Sequence, residues 1–387
     1  MKKVKLGDVC KIQSGGTPSR GNLNYWNNGN IPWVKISDIK EKHLSRTEEF
    51  ITQEGLANSS AKIFPKETIL YTIFATLGEV SILEIEATTN QAIAGLQIID
   101  ENICKDYLYY YLISLKPFVN EIGRGVAQNN INMQILRNFE IPLPSLEEQK
   151  AIARKLDKVS GLIEKRKTQL EKLSELVKSR FIEMFGDGKY PMKTLPQIIT
   201  KDKHSLKRGP FGGALKKEDF VENGYLVYEQ RHAIHNDFEY EKYYIAPKKY
   251  QEMIMFKVVP GDLIISCSGV TLGRIAEIPP YAKEGIINQA LLKVTLDQSI
   301  MTNTFFIHQF RSDRVQDILF GFCRGSGIPN FPSMNEVKAV EFICPPIELQ
   351  NQFAAFVEQI DKSKFEIQKS LEKLEILKKS LMQQYFG

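Results

Sequence analysis

The sequence predicts an α+β fold in which two similar mixed α/β domains are joined by two long helices packed as an antiparallel coiled coil. Three observations predict it. Short motifs recur at nearly constant spacing, each copy ends in a long apolar repeat of coiled-coil period, and strand-like segments precede that repeat at matching positions. Because both copies follow one plan, a pseudo-twofold axis is expected to relate them.

The repeat is tightest at the end of each copy. The first copy contains Pro144-Ser145-Leu146-Glu147-Glu148-Gln149, and the second contains the similar Pro345-Pro346-Ile347-Glu348-Leu349-Gln350. Both copies end on Phe-Gly, and both matches have an offset of 201 residues. Further upstream the offset varies from 195 to 200, for Leu-Gly at 77 and 272, Asn-Gln-Ala at 90 and 288, and Arg-Gly at 124 and 324. Five matches in the same order argue against chance similarity and predict a shared scaffold with loops of different length.

The tight segment of each copy is predicted to be helical. Apolar residues alternate in steps of four and three, which is the period of a coiled-coil seam. Each helix would have about 38 residues and a length of roughly 57 Å. Packing the two stripes together removes both from water, and the short connection after Gly186 favours an antiparallel pair. The predicted seam consists of Ile152, Leu156, Val159, Ile163, Leu170, Leu173, Val177, Phe353, Val357, Ile360, Ile367, Leu371, Leu374 and Leu381, interrupted by Arg166, Arg180, Lys364 and Lys378.

The segments before the helices are predicted to be globular. The domain boundaries that follow are residues 1–145 and 187–346 for the globular domains, and 146–186 and 347–387 for the helices. Strands are expected at 31–36, 68–74 and 93–99, with counterparts at 225–230, 262–268 and 290–296, because β-branched and aromatic residues are enriched there. A helix should follow in each half, and its aromatic cluster is expected to be core: Tyr107, Leu108, Tyr111 and Leu112 match Phe305, Phe306, Gln309 and Phe310.

Composition narrows the class of protein without deciding it. The formal charge of +5, with 43% hydrophobic and 25% charged residues, is compatible with nucleic-acid binding and with many enzymes. Five widely spaced cysteines without a C-x-x-C pair favour a reducing, cytoplasmic location over a disulfide framework or a zinc site. No apolar run is long enough to span a membrane, and no secretory signal is expected.

Several ordered motifs resemble those of one known family. In the first half they are Ser14-Gly15-Gly16-Thr17-Pro18-Ser19, Tyr25-Trp26, the segment 31–39, and Asn130-Ile131-Asn132 followed by 141–149; in the second half they are Gly209-Pro210-Phe211-Gly212 and 345–350. Together they resemble the specificity subunits of type I restriction–modification systems over essentially the whole chain. The second half departs in having Cys344 for Leu143, no proline to match Pro142, and Val227-Tyr228 in place of the Trp33 motif. Its loop contacts are therefore expected to differ from those of the first half.

The resemblance implies a non-catalytic subunit of a DNA adenine methyltransferase and restriction endonuclease complex. Each globular domain would be a target-recognition domain that reads one half of a bipartite double-stranded DNA target. The helix pair would fix the spacing and dock two methyltransferase subunits, with restriction/translocase subunits as further partners. No cofactor is expected on this chain, since S-adenosylmethionine would be bound by the partner methyltransferase subunits.

Polar residues in the predicted loops are the candidates for DNA contact. Arginine and lysine pair with guanine, asparagine and glutamine pair with adenine, and phosphates need only charge or amide donors. The first domain offers a flexible glycine-rich loop, a segment just past a strand, and a polar loop before the proline pair; the second offers their counterparts. The candidates are Thr17, Ser19, Arg20, Lys35, Ser37, Asp38, Arg124, Gln128, Asn129, Asn130, Lys207, Arg208, Gln230, Arg231, His232, Arg274, Arg324, Ser326 and Asn330.

Three other interpretations are less well supported. His232 and His235, with His204 nearby, are more typical of surface-loop histidines than of a metal site, since no cysteine or carboxylate stands at a supporting spacing. Ile278-Pro279-Pro280-Tyr281 is similar to an amino-methyltransferase motif, but Ile278 cannot accept a hydrogen bond, and no phosphate-binding loop is present. A coiled-coil adaptor without DNA readout is the remaining alternative; it would explain the helices but not two globular domains with polar loops.

Overall fold

The computed structural model of the protein describes residues 2–124, 130–211, 213–269, 271–321 and 331–387, with the side chains of 123 and 124 left aside. The chain forms two compact units, each containing one globular part and parts of both long helices. Unit 1 contains residues 1–168 and 367–387, and unit 2 contains residues 169–366. Both long helices therefore contribute to both units. The division of the chain into four sequence segments, 1–145, 146–186, 187–346 and 347–387, stays a prediction.

The globular part of unit 1 is a set of small sheets covered by short helices. The strands are β1 (Lys3–Lys5), β2 (Cys10–Ser14), β3 (Ile31–Val34), β4 (His43–Leu44), β5 (Glu49–Ile51), β6 (Ile69–Thr72), β7 (Val80–Leu83), β8 (Thr88–Thr89), β9 (Ile93–Ile98) and β10 (Glu140–Pro142). A five-stranded sheet has the order β2-β9-β6-β7-β4, a three-stranded sheet has the order β5-β3-β8, and β1 pairs with β10. The helices are α1 (Leu6–Val9), α2 (Gln53–Ala57), α3 (Lys105–Ser114), α4 (Lys116–Arg124), α5 (Met133–Arg137) and the long α6 (Leu146–Phe185).

Among the described residues, unit 2 repeats this plan with one extra strand and a different division of strands between its two larger sheets. The strands are β11 (Met192–Thr194), β12 (Leu206–Arg208), β13 (Phe220–Val221), β14 (Tyr225–Tyr228), β15 (Tyr244–Ile245), β16 (Lys257–Val258), β17 (Leu263–Ser266), β18 (Ile275–Glu277), β19 (Gly285–Ile287), β20 (Leu291–Val294) and β21 (Glu341–Ile343). The sheets have the orders β12-β20-β17-β18 and β13-β15-β14-β19-β16, and β11 pairs with β21. The helices are α7 (Gln230–His235), α8 (Pro247–Glu252), α9 (Asn303–Phe310), α10 (Asp313–Phe320), α11 (Met334–Ala339) and the long α12 (Ile347–Phe386).

Strand pairing confirms the repeated mixed α/β scaffold. In unit 1, β3 runs parallel to β8 with Val34 opposite Thr89, and in unit 2, β14 runs parallel to β19 with Tyr228 opposite Ile287. The six strands expected from the sequence are all present, each somewhat shorter than predicted. The strand expected at 31–36 ends at Val34, because the next residues turn into a 3-10 helix at Ile36–Asp38.

The repeated glutamine before each long helix explains why that motif recurs. The side chains of Gln149 and Gln350 are fully buried. Gln149 accepts a hydrogen bond from the Cys104 amide at 2.9 Å and donates to the carbonyls of Asn102 and Pro144 at 2.9 and 3.0 Å. Gln350 does the same with Thr302, Ile300 and Pro345, at 2.9, 3.0 and 2.8 Å. A buried amide that satisfies three backbone groups fixes the start of each long helix against the globular part of its own unit.

The aromatic clusters of α3 and α9 are core, as predicted. Tyr107, Leu108, Tyr111 and Leu112 are buried in unit 1, and Phe305, Phe306, Gln309 and Phe310 are buried in unit 2. Their polar atoms are satisfied within the protein. The Tyr111 hydroxyl donates to the Glu140 carbonyl at 2.5 Å, and the Gln309 side chain exchanges two hydrogen bonds with the Ile343 backbone at 3.0 and 2.6 Å.

Within each unit the two long helices pack antiparallel. In unit 1, Lys155 Nζ lies 3.2 Å from the Tyr385 hydroxyl, while further along α6 Lys167 lies near Lys378. In unit 2, the Arg180 guanidinium lies over the Phe356 ring at 5.9 Å, and the Phe185 and Phe353 rings are 5.7 Å apart. Residue numbers rise along one helix as they fall along the other in both cases.

The predicted seam residues occupy the covered side of these helices. All fourteen are buried or half-buried: Ile152, Leu156, Val159, Ile163, Ile367, Leu371, Leu374 and Leu381 in unit 1, and Leu170, Leu173, Val177, Phe353, Val357 and Ile360 in unit 2. The interrupting cations Arg166, Arg180, Lys364 and Lys378 are half-buried too. Burial, together with the nearby Lys167, lowers the pKa of Lys378.

Candidate nucleic-acid interface

The glycine-rich loop of unit 1 is fixed in place, so the prediction that it is flexible is wrong. The Gly15 amide donates to the Ile93 carbonyl at 3.0 Å, and the Gly16 amide donates to the Thr89 carbonyl at 2.9 Å. A Cβ at Gly15 would overlap Thr89 and Asn90, and a Cβ at Gly16 would overlap the backbone at residues 60 and 61. Both positions require glycine, because the two backbones approach each other too closely to leave room for a Cβ atom.

Two tryptophans hold the part of this loop that carries Arg20. The Trp33 indole donates to the Gly16 carbonyl at 3.0 Å, and the Trp26 indole donates to the Ser19 carbonyl at 3.1 Å. The two indoles meet edge to face with centroids 5.0 Å apart. The Arg20 guanidinium lies 3.7 Å from the Trp26 ring centroid and 4.7 Å from that of Trp33. Arg20 is thus stacked on a rigid aromatic support.

Two carboxylates complete this arrangement, called here the Arg20 cluster (Arg20, Trp26, Trp33, Lys35, Glu48 and Glu49). Arg20 Nη1 lies 2.6 Å from Glu49 Oε2, Lys35 Nζ lies 3.2 Å from Glu49 Oε1, and Lys35 Nζ lies 2.8 Å from Glu48 Oε2. Hydrogen bonds to Glu48 and Glu49 raise the pKa of Lys35. At Glu49, hydrogen bonds from Arg20 and Lys35 outweigh the effect of burial and lower the pKa of the carboxyl group. The four charges cancel locally.

The turn after β3 is closed by Asp38 acting as a backbone cap. Its carboxylate accepts from the Lys35 amide at 3.0 Å and from the Thr47 hydroxyl at 2.8 Å. Asp38 is half-buried, whereas Ser37 beside it is exposed. The turn therefore presents Ser37, and the carboxylate of Asp38 is already occupied within the protein.

His232 closes the corresponding turn after β14 with both ring nitrogens bonded inside the protein, and its contact with DNA stays a prediction. Its Nδ1 accepts from the Glu229 amide at 3.0 Å, and its Nε2 donates to the Tyr240 carbonyl at 2.8 Å. The side chain is fully buried, so it is not a surface-loop histidine. The adjacent Arg231 is exposed, as Ser37 is in unit 1. The same turn is thus built twice, with different caps and different exposed residues.

Arg231 is supported more loosely than Arg20. Its guanidinium lies 4.4 Å from the Tyr240 ring centroid, and Nη2 lies 3.6 Å from Asp237 Oδ2. Gln230, next to it, is half-buried and accepts a hydrogen bond from the Ser268 hydroxyl at 3.0 Å.

Lys207 and Arg208 lie in strand β12 and are half-buried. Lys207 Nζ lies 5.2 Å from the Phe256 ring centroid, and the Arg208 guanidinium lies 5.1 Å from that of Phe211. The buried Arg208 Nε has no hydrogen-bond partner in the described part of the chain. Burial raises the pKa of the Cys267 thiol to about 12, although the charge of Arg208 acts in the opposite direction.

The remaining candidates are scattered. Arg274 is exposed and immediately precedes β18; its amide donates to the Ser266 hydroxyl at 2.9 Å. Asn130 is half-buried and its backbone bridges Phe74. Ser19 is exposed, and the half-buried Thr17 donates a hydrogen bond to the Gln91 side chain. The side chain of Arg124, and all of Gln128, Asn129, Arg324, Ser326 and Asn330, lie outside the described residues.

Sequence reasoning missed the residues that support these arginines and one repeated surface position. Trp26, Glu49 and Tyr240 were not identified as site residues. Glu49 is distant in sequence from Arg20, and no local pattern indicates that Trp26 or Tyr240 contacts an arginine. Gln91 and Gln289 were passed over as well, although both belong to the repeated Asn-Gln-Ala motif and both are exposed. The asparagine of that motif has a structural role, because Asn90 and Asn288 accept from the amides two residues later at 3.1 and 3.0 Å. The recurrence of a glutamine at the same place in both copies was the sequence signal that could have found both glutamines.

The described residues contain no group of three or more histidine, cysteine or acidic side chains placed to hold a metal ion. Within the same residues, no helix is both long and apolar enough to cross a membrane. Cys10, Cys104, Cys267 and Cys344 are free thiols.

Comparison with known proteins gives a family for most of the chain. The sequence model described as "Type I restriction modification DNA specificity domain" matches residues 1–174 and again residues 211–378. The chain is 27% identical to the type I restriction enzyme MjaIX specificity subunit of Methanocaldococcus jannaschii, over 99% of this chain and 91% of that one. It is 31% identical to the EcoR124I/EcoR124II specificity subunit of Escherichia coli, over 41% of this chain and 40% of that one.

Solved structures show the same fold. The S subunit of a type I restriction–modification system from M. genitalium superposes with a TM-score of 0.59 and 15% identity, covering all of this chain and 96% of the other. A chain from a study of complex assembly and conformational transition of the type I R-M system gives a TM-score of 0.62 and 16% identity, covering all of this chain and 97% of the other.

Proposed function

Since this chain belongs to the type I restriction–modification DNA specificity family, we propose that each globular part reads one half of a bipartite double-stranded DNA target. One observation carries the proposal. The turn after β3 and the turn after β14 are built alike, but they expose Ser37 in unit 1 and Arg231 in unit 2. A shared scaffold with different exposed side chains is what reading two different half-sites requires.

The long helices are proposed to set the distance between the half-sites and to dock two methyltransferase subunits. The continuity of both helices over 40 residues supports a fixed spacing. The charged side chains on their exposed flanks support docking: Lys165, Lys167, Glu171, Lys172 and Glu175 on α6, and Glu372, Lys373 and Glu375 on α12.

Catalysis is assigned to partner subunits under this proposal. The methyltransferase subunits would bind S-adenosylmethionine and modify adenine, and restriction/translocase subunits would join the same complex. This chain would contribute recognition and no cofactor. A complex that acts on chromosomal DNA, with four free thiols among the described residues of this chain, would work in the cytoplasm.

The first experiment is genome-wide detection of methylated adenine, with and without this gene, while the methyltransferase subunit stays present. Loss of one split motif, two short half-sites around a fixed gap, is the expected result and would supply the target. An unchanged methylation pattern despite a stable, co-purifying complex would instead support a coiled-coil adaptor.

A second experiment tests the spacing role separately. Leu170 lies in the interior of α6, where proline costs about 3 kcal/mol or more because it removes a hydrogen bond and clashes with the preceding turn. Leu170→Pro should abolish modification of the split motif, whereas Leu170→Ala should retain it at the normal gap. Normal modification at the normal gap in the proline variant would contradict the spacing role.

A further inference from the structure

We infer that Arg20 reads a guanine in the half-site of unit 1, with Glu49, Trp26 and Trp33 as positioning residues that aim its guanidinium. The inference rests on the proposed function, because it presupposes that unit 1 reads bases. Beyond the candidacy of Arg20 for DNA contact, it names the base that Arg20 reads and the contacts that orient its side chain beforehand.

The loop that carries Arg20 is fixed before any DNA arrives. Backbone hydrogen bonds hold Gly15 and Gly16, and the two indoles bind the carbonyls of Gly16 and Ser19. An arginine on a mobile loop would lose rotamer freedom on binding, and that loss of entropy would weaken the interaction. Here that freedom is already restricted, so more of the hydrogen-bond energy remains for discrimination between bases.

The guanidinium plane is set by contacts on two sides. One face lies over Trp26 at 3.7 Å, and Nη1 is anchored to Glu49 at 2.6 Å. Among the described residues, Glu49 is the one hydrogen-bond partner of the Arg20 side chain. The Nε and Nη2 donors remain for a ligand, and about half of the side chain, 53%, is exposed.

Local charge favours a base over a phosphate as that ligand. Arg20 and Lys35 are balanced by Glu48 and Glu49, so the cluster has no net positive charge to attract the DNA backbone. A base edge is neutral and does not suffer the repulsion that the two carboxylates exert on a phosphate. The cluster is therefore better suited to direct readout than to charge neutralisation.

The chemistry of the two donors selects guanine. Guanine presents two acceptors, O6 and N7, on its major-groove edge, which match two parallel N–H donors. Adenine presents N7 beside a donor amino group, thymine presents one acceptor, and cytosine presents a donor. Arginine in this geometry can satisfy both of its donors on guanine alone.

The test uses the complete complex purified with Arg20→Ala, and duplexes in which each base pair of the methylation motif is replaced in turn. The expected result is loss of discrimination at one G·C pair in one half-site, by roughly 5- to 150-fold, with the other half-site unaffected. Arg46→Ala, at another exposed arginine of unit 1, is the matched control and should leave discrimination at every position unchanged.

Glu49→Gln is a second variant that keeps the size of the anchor and removes its charge. It should reduce discrimination at the same G·C pair, to a smaller extent, and leave other positions unchanged. Such a position-specific effect separates orientation of Arg20 from a general loss of stability, which would weaken binding to every duplex. It also keeps the inference testable if Arg20→Ala fails to assemble.

Three results would overturn the inference. They are a wild-type motif without any G·C pair, unchanged discrimination in both variants, and equal weakening at all positions with a salt slope reduced by about one, which marks a phosphate contact. Failure of the proposed function looks different, since wild-type cells would then show no split motif at all.

Discussion

Arg20 in unit 1 and Arg231 in unit 2 both lie over an aromatic ring beside a carboxylate, but they are held differently. Arg20 is stacked on an indole at 3.7 Å and paired with Glu49 at 2.6 Å, while Arg231 lies 4.4 Å from a phenol ring and 3.6 Å from Asp237. Arg20 precedes β3, whereas Arg231 follows β14. The two units thus place a supported arginine on different loops of the same scaffold.

The buried contacts, in contrast, are alike in the two units. Gln149 and Gln350 make the same three hydrogen bonds, and Gly15 and Gly209 are both pressed against the backbone of the Asn-Gln-Ala turn. Buried polar groups need partners at fixed positions, so these contacts could not change independently. Exposed loop residues are free of that constraint, which is why the differences between the units collect there.

The largest expected loss of stability follows replacement of the two buried glutamines, Gln149 and Gln350. Gln149→Leu and Gln350→Leu should each lower the free energy of unfolding by about 3–5 kcal/mol, because each leaves buried backbone groups without partners. The two losses should agree within about 1 kcal/mol, as measured by urea unfolding. Gln352→Leu, at an exposed position two residues along α12, is the control and should change stability little. Clearly unequal losses would mean that the two junctions are not energetically equivalent.

The next largest effect on stability distinguishes the two capping residues, His232 and Asp38. His232→Ala should destabilise by about 2–4 kcal/mol, since it empties a buried site and removes two hydrogen bonds. Asp38→Ala should cost only about 0.5–2 kcal/mol, because its cap is half-buried. Thermal melting of the two variants checks this order. A His232→Ala protein of normal stability that no longer distinguishes one base pair would instead support His232 as a DNA contact.

A third difference between the units is the pH dependence of stability. It arises at equivalent positions of helices α3 and α9. Tyr110 in unit 1 donates to Asp157 at 2.7 Å, whereas its counterpart His308 lies against the Phe353 ring at 5.2 Å. Burial, followed by the charges of Arg311 and Lys364, lowers the pKa of His308 to about 4. The folded state then binds no proton at His308 between about pH 6.5 and 4 while the unfolded chain does, so stability falls as pH drops through that window.

The expected loss from this histidine is about 1–3 kcal/mol between pH 7 and pH 4. His308→Gln should flatten that part of the pH dependence of unfolding. Tyr107→Phe in unit 1 removes a hydroxyl that donates to the Pro142 carbonyl, a group that does not titrate, and should leave the slope over the same range unchanged. An unaltered slope in the His308→Gln protein would show that other groups cause any acid sensitivity.

The scaffold could be predicted from the sequence because hydrophobic periodicity and internal repetition indicate it. Hydrophobic spacing located the seam, and the repeated Pro-x-x-x-x-Gln motif marked the start of each long helix within a residue or so. The site was less accessible, because its geometry depends on pairs distant in sequence. Arg20 and Glu49 are joined only when β3 pairs with β5, and His232 was mistaken for a surface residue since no local pattern reveals burial of a polar ring.

The smallest expected effects are at the ends of the helix pair, one in each unit. Lys155 Nζ lies 5.8 Å from the Tyr385 ring centroid, and the Arg180 guanidinium lies 5.9 Å from that of Phe356. Replacing either cation by alanine should lower the free energy of unfolding by only about 0.5–1 kcal/mol, because water still reaches the exposed Lys155 and the half-buried Arg180. Lys158→Ala and Lys178→Ala, at exposed neighbours, are the controls. Losses of several kcal/mol at one end alone would mean that the seam is unevenly stabilised, and that the likeness of the two units does not extend along the helices.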